Sequence, residues 1–441
     1  MPDENGRNIL PTGRNMFGLN TDKVPTKTAY ARGKLLAIQL LESYQKDEGR
    51  LPESIAMNMI SLNITRTNGE QLSQFLYLLG VVPVWDGLER VTGLRVMSPE
   101  EIGRPRIDVT VRISGVLRDT WPTVVELMDE AVLMVAALDE SDSDNYVLKN
   151  LRAYREQKDL PDDDRQGAIR IFGDAPGTYG AGLDLALLAS AWKDEADLVK
   201  YFIHASAFAY GRNLNGRKSI REFIDTAKNV DLTTDAAASR RNTSSCSFGT
   251  QVQGGYRLIA KHLGKKTIRQ YQNTSERGRE VITESLADSL KRANEETLLN
   301  EFWKQSMISR GYDGASDIMN MMQNVFSAQC VTDCFTDDFL DKLTEEYIND
   351  EQMRAWLAEN NHFALEEIAR RMLELYTREK WHPDADVLEK LQANYLIIEG
   401  DIEEGIESAG DIQGGNVEIL NDADIESWQE QLVDIERHIN L

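Results

Sequence analysis

The feature that most constrains the fold is an alternation, over residues 34–138, of helically spaced apolar residues with short continuous apolar runs. In KLLAIQLLESY (Lys34–Tyr44) apolar side chains recur at helical spacing, a GRLPES turn follows, and Ile55–Leu62 is an apolar run short enough for a buried strand. Asn68–Glu70 opens a second helical pattern through Leu72, Phe75, Leu76 and Leu79, which Gly80 stops as a C-cap, and Val81–Val84 reads as the next strand. After the GRPR turn, Ile107–Ile113 is again strand-like, Ser114-Gly115 breaks it, and Val124–Leu138 is helical. Helices alternating with buried strands predict an α/β fold: an open, mostly parallel sheet followed by a mainly α-helical domain. In such sheets functional loops lie at the carboxyl ends of strands. The segments NITRTNGE after Leu62 and SGVLRD after Ile113 are the candidates.

The remainder divides by composition. Residues 1–30 read as an extended leading segment, 31–157 as the α/β domain, and 158–260 as a Gly-rich loop and helices with a Ser/Thr-rich stretch. Residues 261–405 read as a helical domain, and 406–441 as an acidic tail with an amphipathic helix. The helices expected beyond the loop are Leu183–Trp192, Ala196–Tyr210, Ile282–Gln305 and Glu366–Arg378. Gly405–Gly415 is expected to be flexible, and Asp422–Ile439 puts Ile425, Trp428, Leu432, Ile435 and Ile439 on one face that must dock.

Charge narrows the partners. Acidic residues number 73 against 49 Lys and Arg, a net −24, which repels phosphate backbones and anionic membranes and makes nucleic acid a poor partner. The excess concentrates in Gln392–Leu441, where 13 acidic residues face the single basic Arg437. No apolar run reaches the ~20 residues of a membrane span, and Cys246, Cys330 and Cys334 are too few for a disulfide framework. A cytoplasmic location is the expectation.

Arg170–Gly182 holds Gly173, Gly177, Gly180 and Gly182 around Pro176 and Tyr179, without the Gly-Lys-Ser/Thr ending of a nucleotide loop. It reads as a tight structural loop or a cradle for phosphate or carboxylate. Arg66, Arg104, Arg106, Arg112 and Arg118 lie in turns or at strand ends. Their guanidinium groups either grip a ligand's carboxylates or pair with Asp86, Asp108 and Asp119. Cys330 and Cys334 share one face if helical, where core packing outweighs metal binding. His204, His262, His362, His382 and His438 form no ligand motif, and neither a GxSxG elbow nor a catalytic cysteine context occurs.

In order along the chain, LPTGRN (Leu10–Asn15), VPT (Val24–Thr26), RTNGE (Arg66–Glu70), LLGVVPVWD (Leu78–Asp86), GRPRIDVTVRISGVLRD (Gly103–Asp119) and RIFGDAPGTYGAGL (Arg170–Leu183) resemble the C-terminal part of the cobaltochelatase and magnesium chelatase large subunits. FAYG at Phe208–Gly211, RGYDGASDI near Trp303–Ile318, and the stretch from Asp350–Arg354 to Trp381 look similar too. VTVRISGVLRDTWP and VVPVWDG place the resemblance nearer cobaltochelatase. It implies insertion of a divalent metal, cobalt or magnesium as substrate, into a tetrapyrrole, with ATP hydrolysed on AAA+ ATPase partners beside an adaptor subunit and with a separate N-terminal half of the large subunit. On the matching motifs it assigns substrate binding to Arg66, Glu70, Arg112, Ser114, Arg118, Asp119, Gly177, Tyr179, Gly180 and Gly182, and leaves catalytic and metal-ligating residues unassigned.

One departure is local. Where the family usually shows an acidic, His-containing segment before Gly254-Gly255, this chain reads TTDAAASRRNTSSCSFGTQVQ and keeps only Asp235. A non-catalytic tetrapyrrole- or metal-binding homologue, acting as carrier, sensor or scaffold, is therefore the competing expectation. The main reading requires Arg66, Arg112, Arg118 and Gly177–Gly182 to converge.

Overall fold

The computed structural model describes residues 21–161, 164–237, 247–265, 268–275, 280–409 and 422–439. LPTGRN, Cys246 and most of the Gly-rich stretch near residue 410 lie outside them.

Helix α1 (Lys27–Glu48) starts where the Thr26 side chain accepts the Ala29 N–H at 3.1 Å and ends at the left-handed Gly49. Strand β1 (Ser54–Met59) follows, buried along its whole length. Helix α2 (Ser61–Thr67) leads through Gly69 into α3 (Glu70–Leu79), which is buried at every position and stops at the left-handed Gly80. Strands β2 (Val81–Trp85) and β3 (Val91–Val96) pair only with each other, as an antiparallel ribbon apart from the main sheet. Past α4 (Pro99–Ile102), β4 (Asp108–Ile113) is as fully buried as β1. Helices α5 (Gly115–Thr120), α6 (Pro122–Ala136) and α7 (Tyr146–Lys158) precede β5 (Ile171–Gly173).

The next segments depart from the periodicity reading. The expected helix Leu183–Trp192 is only α8 (Asp184–Leu188), because Arg371 and Arg378 draw its last carbonyls away. Arg371 donates to Leu187 O at 3.0 Å, while Arg378 donates to Trp192 O at 2.9 Å and lies 3.7 Å from the Trp192 ring centre. Helix α9 (Glu195–Ser206) ends before Phe208–Gly211, which is strand β6, paired with β7 (Leu214–Lys218) rather than continuing the helix. Helix α10 (Ile220–Asn229), β8 (Leu232–Ala237), α11 (Ser247–His262) and β9 (Arg269–Ser275) follow. The expected helix Ile282–Gln305 divides into β10 (Val281–Ser285), α12 (Leu286–Glu295) and α13 (Glu301–Ile308), because Ser285 and Asn300 each cap a new helix start.

The main sheet has the order β10-β9-β8-β1-β4-β5-β6-β7. The run from β9 to β5 is parallel, and β10, β6 and β7 close the edges antiparallel. One face packs on α1, α3 and α6 through Leu40, Phe75, Leu76, Met128 and Val132. The other packs on α9, α10 and α11, where Phe172, Phe202, Phe223 and Tyr256 form an aromatic cluster with centroids 5.2–6.0 Å apart. A Cβ at Gly255 would sit 2.4 Å from the Phe202 ring, so glycine there lets α11 approach α9.

This second core continues into the helical part. Helix α14 (Tyr312–Thr332) packs on α11 and on α16 (Glu351–Thr377), with α15 (Asp337–Thr344) and a π-helical turn (Glu345–Asn349) between them. The expected Glu366–Arg378 is the second half of α16, which bends at Asn361, whose side chain caps Ala364 N at 3.1 Å. Helix α17 (Ala385–Ala409) takes in Gly405, so helix rather than flexible chain continues to Ala409. The last helix, α18 (Asp422–Ile439), docks as its apolar face requires, against α9 and α10, with Ile435 buried and Lys200 paired to Glu436 at 2.7 Å. No helix among the described residues is long and apolar enough to cross a membrane.

Candidate functional site

From β1 the chain moves one way, to β4 and then β5; after β6 and β7 it returns to β8 on the other side of β1 and moves on to β9. The direction of winding therefore reverses between β1 and β8. A crevice opens at the carboxyl ends of strands at such a reversal.

The side chains at this point are polar. Asn58 near the end of β1 donates to Asp235 Oδ1 of β8 at 2.9 Å. Asn273 of β9 donates to Thr234 Oγ1 at 2.8 Å and to Gln74 Oε1 at 3.1 Å, Asn63 donates to Ala236 O at 2.7 Å, and Gln71 donates to Asn58 O. Burial pushes the Asp235 carboxyl up to about 7, against the hydrogen bonds from Ala236 N–H and Asn58. Gly249 of α11 leaves room for it, since a Cβ there would lie 1.9 Å from Asp235 Oδ2. Asn58 Oδ1 and Gln71 Oε1 are buried without a hydrogen-bond partner among the described residues.

Beside this reversal, the carboxyl ends of β4 and β5 build a second group. Ser114 caps α5, accepting Leu117 N–H at 3.2 Å, and the glycine loop leaves β5 at Gly173. Arg112 is fully buried: it pairs with Asp174 and donates to Ser206 Oγ at 3.1 Å, to Gly180 O at 2.8 Å and to Ile113 O. Asp174 also accepts the Gly115 N–H at 3.1 Å, and burial raises its pKa against the pull of Arg112. Arg118 grips Asp119 with two bonds of 2.7 and 2.9 Å and donates to Ala175 O at 2.7 Å. Its guanidinium lies 5.5 Å from the Tyr179 ring centre and 5.9 Å from that of Tyr210. Tyr179 is 64% exposed and donates to Asp119 Oδ2 at 2.8 Å, and the Arg118 hydrogen bond holds Asp119 below the usual carboxylate range.

Arg112, Ser114, Arg118, Asp119, Tyr179, Gly177, Gly180 and Gly182 thus share one loop cluster. Arg66 is exposed on α2, which packs against α5 at the same end of the sheet. Glu70 instead faces α1, paired with Arg32 at 2.7 Å. The arginines are largely satisfied by the protein itself: Arg118 by Asp119, Arg106 by Glu140, and Arg104 by the carbonyls of Tyr77 and Leu78. Asp108 pairs with Arg170 and Asp86 with Arg90. Arg112 holds the glycine loop in place, and the solvent-facing polar groups of the cluster are Tyr179 and Asp119. Sequence reasoning named Asp235 as the carboxylate left in its segment but missed Asp174 and the pairing of Asp235 with Asn58. An acid directly after the strand-ending Gly173 was the available signal for the first; nothing local announced the second.

Gly177, Gly180 and Gly182 all have positive φ, of 82°, 117° and 78°. A Cβ on Gly182 would lie 2.1 Å from Ala205 Cβ, whereas one on Gly177 would meet open space. Gly182→Ala should therefore cost about 2–3 kcal/mol in urea denaturation and Gly177→Ala only about 1 kcal/mol. Equal losses would show that backbone strain alone matters here.

Among the described residues no three His, Cys, Asp or Glu side chains are grouped to hold a metal ion. Cys330 is buried in the core, and burial raises the thiols of both Cys330 and Cys334, the latter to about 12, as packing residues rather than thiolate ligands.

Comparison with known proteins matches the geometry to one family. The family model described as CobN/Magnesium Chelatase matches residues 2–388. An uncharacterized protein of Methanocaldococcus jannaschii is 40% identical over 93% of this chain and 34% of its own length. The aerobic cobaltochelatase subunit CobN of Sinorhizobium sp is 30% identical over 87% of this chain and 30% of its own. Among solved structures, the catalytic subunit of cobaltochelatase from Mycobacterium tuberculosis superposes with a TM-score of 0.83 at 34% identity, over 86% of this chain and 32% of that one. The chain spans about a third of the length of these relatives. With the family model covering most of its length and the fold shared at this identity, the chain belongs to the CobN/magnesium chelatase family.

Proposed function

We propose that this chain forms one wall of the cavity in which a metal chelatase inserts a divalent ion, cobalt in preference to magnesium, into a tetrapyrrole. The N-terminal remainder of the large subunit completes the cavity, and ATP is hydrolysed on separate AAA+ partner subunits with their adaptor. The observation that carries this reading is the Asp235–Asn58 pair at the reversal of the sheet. Insertion requires a base for the pyrrole N–H protons and oxygen ligands to replace the water of the incoming ion. A carboxyl near neutrality can take such a proton, and the unengaged amide oxygens of Asn58 and Gln71 can replace water on an incoming divalent ion. At the rim, the exposed guanidinium of Arg66 and the exposed Tyr179 support a contact with the carboxylates that fringe the macrocycle.

The test is a titration of the assembled chelatase with hydrogenobyrinic acid a,c-diamide and with protoporphyrin, followed by metal insertion read from the Soret band. Asp235→Asn should leave macrocycle binding within a small factor and lower insertion about a hundredfold or more. Arg66→Ala should weaken macrocycle binding about fivefold, as the loss of one exposed charge contact does. Binding without insertion in the wild-type assembly would favour the carrier or sensor reading, and no binding of either macrocycle would overturn both.

A further inference from the structure

A cleft of about 550 Å³ opens in the helical part, between α13, the π-helical turn and the start of α16. Its floor is apolar, formed by Ile308, Met353 and Trp356, all half-buried. Its rim carries the carboxylates of Glu301, Glu345, Glu346 and Asp350. Two lysines answer them: Lys304, engaged by Glu346 and by Glu301 at 3.1 Å, and Lys390 of α17, 3.2 Å from Glu345. Four acids against two lysines leave the cleft negative. That sign repels a carboxylate-fringed ring and any phosphate, so the cleft suits neither the macrocycle nor a nucleotide.

The cleft is also preformed. Tyr347 in the π turn is buried and donates to Leu298 O at 2.6 Å, Ile348 is buried, and Arg354 donates to Ile348 O at 2.8 Å. Single π turns inside helical segments recur at functional sites. An aromatic floor with a polar rim is the anatomy of an interface anchor pocket.

We propose that this cleft docks an arginine- or lysine-bearing segment of a partner protein, with the cationic head over the Trp356 ring beside Glu345 and Asp350, and apolar neighbours on Met353 and Ile308. Charge complementarity selects this occupant, and cation–π contact with tryptophan adds to it. A second copy of this chain is disfavoured by its own net charge of −24. The inference is independent of the tetrapyrrole reading.

The probe is a short amphipathic peptide of leucine and arginine, titrated calorimetrically into the full chain at low and high salt, beside a peptide with glutamate in place of arginine. The wild type should bind the arginine peptide in a salt-dependent manner and ignore the glutamate peptide. Glu345→Lys, at the half-buried rim, and Trp356→Ala should each weaken binding about tenfold or more, and Trp356→Phe should restore most of it. The proposal is overturned if the arginine peptide fails to bind, if the glutamate peptide binds as well, or if Glu345→Lys binds like the wild type. It is equally overturned if the cleft variants change self-association in sedimentation instead of peptide binding.

Discussion

Arg112→Met is expected to remove about 3–5 kcal/mol of folding stability, because it strands a buried carboxylate rather than merely deleting a contact. Arg112 and Asp174 are both buried and paired, and the same guanidinium also ties Gly180 O to the end of β4. Methionine fills a similar volume, so packing loss contributes little. What remains is a desolvated Asp174 with the Gly115 N–H as its hydrogen-bond donor and Arg118 as the nearby charge. Urea denaturation measures the loss, and hydrogen exchange at residues 177–182 should quicken as the glycine loop loses its tether. The double variant Arg112→Met, Asp174→Asn should recover most of the stability without slowing exchange in the loop. A single-variant loss below about 1 kcal/mol would mean that solvent reaches the pair, contrary to its burial here.

Asp235→Asn should abolish the pH dependence that this one carboxyl imposes. Its folded-state pKa is raised from 3.8 to about 7 by burial. Below the unfolded value both states hold the proton and the group is neutral to stability. As pH rises from about 4 to about 7, the unfolded chain releases the proton while the folded chain keeps it, so stability falls through that window and levels off above it. A shift of this size corresponds to at most about 4 kcal/mol between the two plateaus. Asparagine cannot titrate and still accepts the Asn58 N–H. Denaturation midpoints at the acidic and alkaline sides of the window should therefore diverge, with the variant gaining on the wild type as pH rises. Parallel curves for the two proteins would mean that Asp235 is ionised throughout, and the proton-acceptor role proposed for it would fall with that result.

The parts of the fold legible in the sequence are those whose side chains face apolar layers. β1 and β4 are buried on both faces: β1 shows as an apolar run broken by Asn58, β4 as Val109, Val111 and Ile113 alternating with polar residues, and α1, α3 and α6 show helical periodicity because one or more faces meet the sheet. β8 and β9 were illegible for the opposite reason. LTTDAA and RQYQNTS place Thr234, Asp235 and Asn273 in hydrogen bonds with Asn58, Gln74 and each other, so buried strands carry the composition of a loop. β6 was absorbed into the preceding helix because FAYG is as apolar as the end of α9 and too short to show period two. The loop cluster was legible as glycines and arginines at strand ends. Which arginine faces solvent was not, because that depends on Asp174 and Ser206, residues 62 and 94 positions from Arg112. Asn58 and Asp235 lie 177 residues apart and meet only through the strand order.

Strand β1 is flanked by β4 on one side and by β8 on the other, so the middle of the sheet joins chain segments separated by most of the α/β region. During synthesis, β1, β4 and β5 can assemble early, but one long side of β1 stays unsatisfied until residues 232–237 have emerged. A nascent chain stalled before that point exposes a flat, apolar strand edge, the surface most prone to pairing with another molecule. Shortened versions ending before β8 should accordingly aggregate through that edge, while the full 441-residue chain, in which β8 pairs with β1 and the helical part covers the second core, remains dispersed.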